Sequence, residues 1–184
     1  MESPASNEAG VKYFLPGSFA SAFLIYGISL TYGIAGTTDL AGVAPAIPHS
    51  IGSNLLLVIA MELVAAGLAS KVATVPLRTW ALDAYQGATS PVAAFLAAGS
   101  KAVGLAMFGR VCLTAYGSQA QVLSVILGML AGLSSVVGSI VALSQTDMKR
   151  LLVYSSIAHG GYALLGLIAG THPVASATMT YAFF

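Results

Sequence analysis

Five long stretches of this chain are apolar on nearly every face, and short polar connectors separate them. They cover about residues 11–35, 53–75, 91–111, 120–143 and 151–170. Each approaches the ~20 residues that an α-helix needs to cross a hydrocarbon core. Strands of a membrane barrel would instead alternate apolar and polar residues over about ten positions. The pattern therefore predicts five membrane-spanning helices, the first interrupted early by Pro16-Gly17. Residues 1–10 (MESPASNEAG) read as a polar N-terminal loop without the basic start of a secretory signal, with Ser6, Asn7 and Glu8 as capping candidates. A sixth apolar segment begins at residue 174, after His172-Pro173, and is too short to cross by Phe184.

Composition fixes the solvent. Of 184 residues, 57% are hydrophobic and 7% charged, where a soluble domain carries about 25% charged residues. Backbone polar groups in lipid must be satisfied internally, so the fold class is all-α, a polytopic transmembrane helix bundle, with residues 11–184 as one transmembrane domain. A net charge of +1 without a basic patch predicts no nucleic-acid partner. One cysteine, Cys112, excludes a disulfide or a cysteine-ligated cluster within the chain, and three scattered histidines make no zinc motif. No metal or cofactor site is expected here.

The few charges then carry the information. Lys12, Arg78, Lys149 and Arg150 fall toward the side where the first helix begins, and only Arg110 falls toward the other. By the positive-inside rule the former is the inner (cytoplasmic, matrix or stromal) face. Inside the spans stand Glu62, Lys71, Lys101 and His159. At ~1.5 Å per residue, Lys101, Glu62 and His159 each lie about 12–15 Å in from the nearer end, close to one level in a core about 30 Å thick. Ionisable groups at that depth mark pathways for charge or protons.

Lys71 admits two readings. In an unbroken helix it lies near the inner face and snorkels. Pro76, however, removes a backbone donor just beyond it. If the chain resumes as a second half-helix through 80–87, Lys71 sits at a break nearer mid-membrane, where transporters place ion sites. The second reading is adopted, giving a discontinuous helix near Lys71–Pro76.

Three collinear stretches carry a family resemblance: SNEAGVKYFLPGSFASAFLIYG, KVATVPLRTWALDAYQGATSPVAAFLAAGSK and ALSQTDMKRLLVYSSIAHGGY. Together they resemble the N subunit of respiratory complex I, an antiporter-like, proton-pumping membrane subunit of NADH:quinone oxidoreductase with a counterpart in the photosynthetic complex. The resemblance runs from about Ser6 to Gly170 and fits a middle portion of that subunit. It implies that Lys71 and Lys101, thirty residues apart, belong to a proton path. It further implies that NADH or ferredoxin, quinone, flavin and iron–sulfur clusters act in partner subunits, with no cofactor in this chain. The partners are other membrane subunits of a respiratory complex, the lipid bilayer and protons. The location implied is a bacterial inner membrane, or a thylakoid or mitochondrial inner membrane. The chain would thus be a non-redox subunit of a translocase.

The chain departs from the family pattern where Arg78 replaces a histidine and Leu82 and Thr89 replace prolines. The family's pumping glutamate precedes the first span and is missing, as is the lysine of the second broken helix. Glu62 stands on a helix that the family leaves uncharged there; it either faces Lys101 from the adjacent antiparallel helix, in place of that glutamate, or is a buried ion-pair partner. Each other site also has a plainer reading. Lys101, among Ala97, Ala98, Gly99, Ser100 and Gly104, is a group whose desolvated charge suits proton loading and release, or a structural cation. His159 is a proton relay or a histidine donating to a carbonyl. Ser100, Ser134 and Ser135 are candidate lining groups, while Trp80 and Tyr85 read as interfacial aromatics. The alternative functions are a subunit of a cation/proton antiporter or membrane-bound hydrogenase, and a non-pumping membrane scaffold.

Overall fold

The computed structural model describes residues 4–48 and 55–170. The expected sixth segment, His172 and His49 lie outside that range. Helix α1 spans Pro4–Ala35, starting where a polar loop to residue 10 is expected. Proline suits a first helical turn, whose N–H groups have no intrahelical acceptor, and the Glu8–Lys12 ion pair (2.6 Å) links successive turns. Pro16 lies inside α1 without ending it.

A short α2 (Leu40–Ala46), capped by the Asp39 carboxylate accepting from the Ala41 N–H, occupies the outer connector. Helix α3 (Leu55–Val72) then descends toward the inner face, and α4 (Thr79–Gly87) continues after a break. The next crossing is composite. It comprises α5 (Ser90–Phe95), a π-helical turn (Leu96–Ser100) and α6 (Lys101–Ala115). A turn of 3-10 helix leads to α7 (Ala120–Leu143), and α8 (Met148–Gly170) completes the bundle. Among the described residues, five segments are long and apolar enough to cross a membrane.

Small residues set the helix contacts. A Cβ on Gly67 of α3 would come within 2.5 Å of the Leu24 Cβ, and one on Gly27 of α1 within 2.8 Å of the Val64 nitrogen. Helices α7 and α8 approach as closely through Gly138 against Ala158 and Gly161 against Ser135. Lipid supplies no hydrophobic force between helices, so such backbone approach is what holds a membrane bundle together.

The register of these contacts locates the end of α3. Val72 packs between Gly104 of α6 and Gly160 of α8. Gly104 is about 21 Å along its span from Ser90, and Gly160 about 18 Å from Met148, at the helical rise. Pro16, Phe19, Ala20 and Phe23, near the middle of α1, line a small cavity shared with Ser70, Pro76 and Leu77. All three gauges put the break near mid-membrane, and α4 carries the chain onward to the inner face. There Lys12 of α1 pairs with Asp83 of α4 (3.1 Å), Gln86 of α4 donates to Asp147 (3.3 Å) and Arg150 donates to Gln86 (2.9 Å). At the opposite end the Thr31 hydroxyl and Tyr116 phenol share a buried 2.7 Å hydrogen bond.

Candidate functional site

A helix that stops inside a bilayer leaves carbonyls without partners, and here named groups cap them. Ala73 adopts φ +60°, the Thr74 N–H returns to the Ala69 carbonyl (3.1 Å) and the Ala73 N–H to that of Ser70 (3.1 Å). This is a Schellman closure with alanine where glycine is usual. The Thr74 hydroxyl adds a second bond to Ala69 (3.1 Å), and the Trp80 indole Nε1 donates to Ser70 (3.0 Å). The next free N–H, that of Val75, donates to Ser134 Oγ of α7 (2.9 Å). The peptide before Pro76 is cis. Trp80 and Tyr85, expected as interfacial aromatics, are instead buried (6% and 3% exposed), because Trp80 serves the helix end and Tyr85 packs beneath α8. Ser134, expected as a lining hydroxyl, is fully buried as that backbone acceptor. Arg78, the first residue after the break region, lays its guanidinium 4.9 Å from the Tyr154 ring centre.

Lys101 starts α6 directly after the π turn and is 7% exposed. Its Nζ donates to Ser156 Oγ of α8 at 2.6 Å and stands 6.0 Å from the Tyr85 ring centre. Ser156 in turn donates to the Val153 carbonyl at 2.8 Å. Lys71 lies in the last turn of α3, and a Cβ on Gly104, one turn past Lys101, would stand 3.6 Å from the Lys71 Cβ. The break thus brings both lysines to one crossing. Lys71 is exposed on the bundle surface, and among the described residues nothing bonds its ammonium. His159, also exposed, adjoins Gly160 at this crossing with its ring edge-on to Tyr162 at 5.7 Å.

Glu62 does not join them. It is exposed on α3, nine residues from Lys71 and on the opposite face, about 13 Å nearer the outer end at the helical rise. Because Val72 is level with Gly104, Glu62 stands above Lys101 rather than opposite it, so the first of its two readings does not form; the second, a buried ion-pair partner, does not either, since Glu62 is exposed. The sequence depths agreed only because α3 was counted from its own end.

Sequence reasoning missed Ser156. Its signal was the polar face of YSSIAH, where Ser156 stands one helical turn before His159. A cavity of about 270 Å³ between α4, α5 and α8 is lined by Tyr85, Ser90, Ala97, Lys149, Leu152 and Ser156, among others. Ser90 and Lys149 mark its inner-face end; Ala97 and Ser156 lie about 10–12 Å deeper at the helical rise. No group of three or more potential metal ligands occurs among the described residues.

Five spans, one of them interrupted beside the helix that carries the buried Lys101, define a polytopic transmembrane helix bundle. The chain belongs to the family of NADH:quinone oxidoreductase and Mrp antiporter transmembrane subunits, whose pattern it matches over residues 1–184. It is 46% identical over 183 residues to NADH-quinone oxidoreductase subunit N of Desulfovibrio desulfuricans, covering 97% of this chain and 36% of that protein. It is likewise 46% identical over 181 residues to NAD(P)H-quinone oxidoreductase subunit 2 of Synechococcus elongatus, with 97% and 34% covered. Its fold matches a chain of respiratory complex I from Thermus thermophilus with a TM-score of 0.75 and 38% identity, over 95% of this chain and 36% of that one. The chain therefore spans about a third of the length of the relatives it matches. Those relatives are subunits of an enzyme complex, NADH-quinone oxidoreductase. This chain is a multi-pass membrane protein of a bacterial or thylakoid membrane.

Proposed function

We propose that this chain is part of the proton-translocating membrane arm of an NADH (or ferredoxin):quinone oxidoreductase. Lys71 and Lys101 carry the proton, and redox chemistry runs in partner subunits that hold the flavin, iron–sulfur clusters and quinone site. The observation that supports this reading most is the buried Lys101 ammonium, held by one hydroxyl, one turn from the place where the broken helix delivers Lys71. A desolvated lysine with a neutral partner changes its proton occupancy when a nearby charge appears or leaves. Conformational or electrostatic coupling that changes the charge near Lys71 would therefore load or empty Lys101. Movement between them crosses the plane of the α3–α6 contact, laterally in the membrane. His159, beside the same contact, is a further candidate relay, while Glu62 stands outside it.

The test is Lys101→Met in the assembled complex. Donor-driven proton pumping is expected to fall by about a hundredfold, within the range for losing a positioned proton-transfer group, while the complex still assembles. Unchanged pumping would overturn the proposal. The family also contains Mrp antiporters, so a second reading is a cation/proton antiporter subunit; sodium-dependent proton exchange without quinone reduction would favour it.

A further inference from the structure

Lys101 donates to Ser156, yet only Ser156 lines the 270 Å³ cavity that runs to Ser90 and Lys149 at the inner face. Tyr85 lines that cavity too, and its ring stands 6.0 Å from the Lys101 ammonium, walling the lysine from the cavity on that side. Its lining is mainly apolar, with Ser90 and Lys149 as polar side chains at the mouth and Ser156 at the floor. The Ser156 hydroxyl is thus the polar group that touches both compartments.

From this arrangement, and resting on the function proposed above, we infer that Ser156 is the hydroxyl relay through which Lys101 takes its proton from the inner-face cavity. In the bonded state Ser156 Oγ accepts from Nζ (2.6 Å) and gives its own proton to the Val153 carbonyl (2.8 Å). Once Lys101 is neutral, its lone pair becomes an acceptor and the hydroxyl turns from Val153 toward Nζ. A hydronium in the cavity then gives a proton to Ser156 Oγ as the original hydroxyl proton passes to Nζ. One O–H bond forms and one breaks on Oγ, an N–H bond forms on Lys101, and water remains in the cavity. No serine alkoxide arises, and the next turn of the hydroxyl resets the bond to Val153. The alanines at 93, 94 and 97 leave room for the water that this step consumes and returns.

The experiment uses the assembled complex in sealed vesicles and compares Ser156→Ala, Ser156→Thr, Ser156→Gly and Lys101→Met for donor-driven pumping. Ser156→Ala is expected to slow pumping by about a hundredfold, the low end for a lost proton-transfer group, with Ser156→Thr within about twofold of the parent. Ser156→Gly, which opens space for a water beside Lys101, is expected to recover pumping above the alanine variant. A glycine variant no better than alanine overturns the relay in favour of a purely orienting hydroxyl. Full activity of Ser156→Ala alongside an inactive Lys101→Met overturns this inference and leaves the proposed function standing. An active Lys101→Met overturns both. If Ser156→Ala does not assemble, Ala97→Cys decides. A membrane-impermeant thiosulfonate added on the inner side should label it, and absence of labelling overturns the aqueous cavity and the relay with it.

Discussion

The cap on the broken helix can be taken apart one bond at a time, and Trp80 is the place to begin. Trp80→Phe removes the indole N–H that donates to the Ser70 carbonyl at 3.0 Å while leaving an aromatic ring against Tyr13 (5.2 Å between centres) and Tyr85 (6.2 Å). A carbonyl orphaned in a buried site costs about 1–3 kcal/mol. Ser70, however, keeps its bond from the Ala73 N–H, so the loss belongs at the lower end, about 1 kcal/mol. Trp80→Ala also deletes the ring, which is 6% exposed, and such truncations cost about 3–5 kcal/mol. Reversible unfolding of the purified protein in mixed detergent micelles, followed by tryptophan-independent circular dichroism, reads both values. The order parent, then phenylalanine, then alanine is expected, with the larger step at the second change. A phenylalanine variant as unstable as the alanine variant would show that the indole bond, not the ring, holds the break together, and would refute this apportionment.

Other substitutions test separate parts of the account in the same unfolding assay. Ala73→Gly relieves an alanine held at φ +60°. The left-handed penalty of ~1–2 kcal/mol exceeds the ~0.5–1 kcal/mol entropic cost of glycine, so a gain of about 0.5 kcal/mol is expected. Ser134→Ala strips the buried acceptor from the Val75 N–H and is expected to cost about 1–3 kcal/mol. Gly161→Ala would drive a Cβ to within 2.8 Å of the Ala131 carbonyl and the Ser135 nitrogen, so α7 and α8 must part at a cost of about 1–3 kcal/mol. Lys12→Met breaks pairs to Glu8 and Asp83 that are substantially exposed and screened by solvent, so an unfolding transition close to the parent's is expected.

Spans were legible because length and uniform apolarity are local properties; the stretch 120–143 and helix α7 have the same bounds. The break was legible through Pro76, although the residues that make it tolerable were not. Trp80 reaches the α3 terminus, and Ser134 the Val75 N–H just past it, from further along the chain, and no local pattern announces such contacts. The start of α1 at Pro4 was hidden because polarity was read as loop, whereas Glu8 and Lys12 stabilise a helix at a membrane edge. Glu62 failed for a different reason. Depth was counted along separate helices, and only the packing of Val72 on Gly104 and Gly160 fixes their relative heights. Ser156 was missed because a hydroxyl in a helix ordinarily bonds its own backbone. Only the fold shows the lysine that approaches it.

The proposed function requires α3 to end at mid-membrane with Lys71 against α6, and cross-linking measures that contact directly. In a chain with Cys112 replaced by alanine, Lys71→Cys with Gly104→Cys places two Cβ atoms about 3.6 Å apart. That lies within the ~3.5–4.5 Å a disulfide requires. Mild oxidation in native membranes should join the α3 and α6 peptides, read by mass spectrometry, while Glu62→Cys with Gly104→Cys stays unjoined. Failure of the first pair to form, or efficient formation of the second, would contradict the end of α3 at this level and the seating of Lys71 on α6.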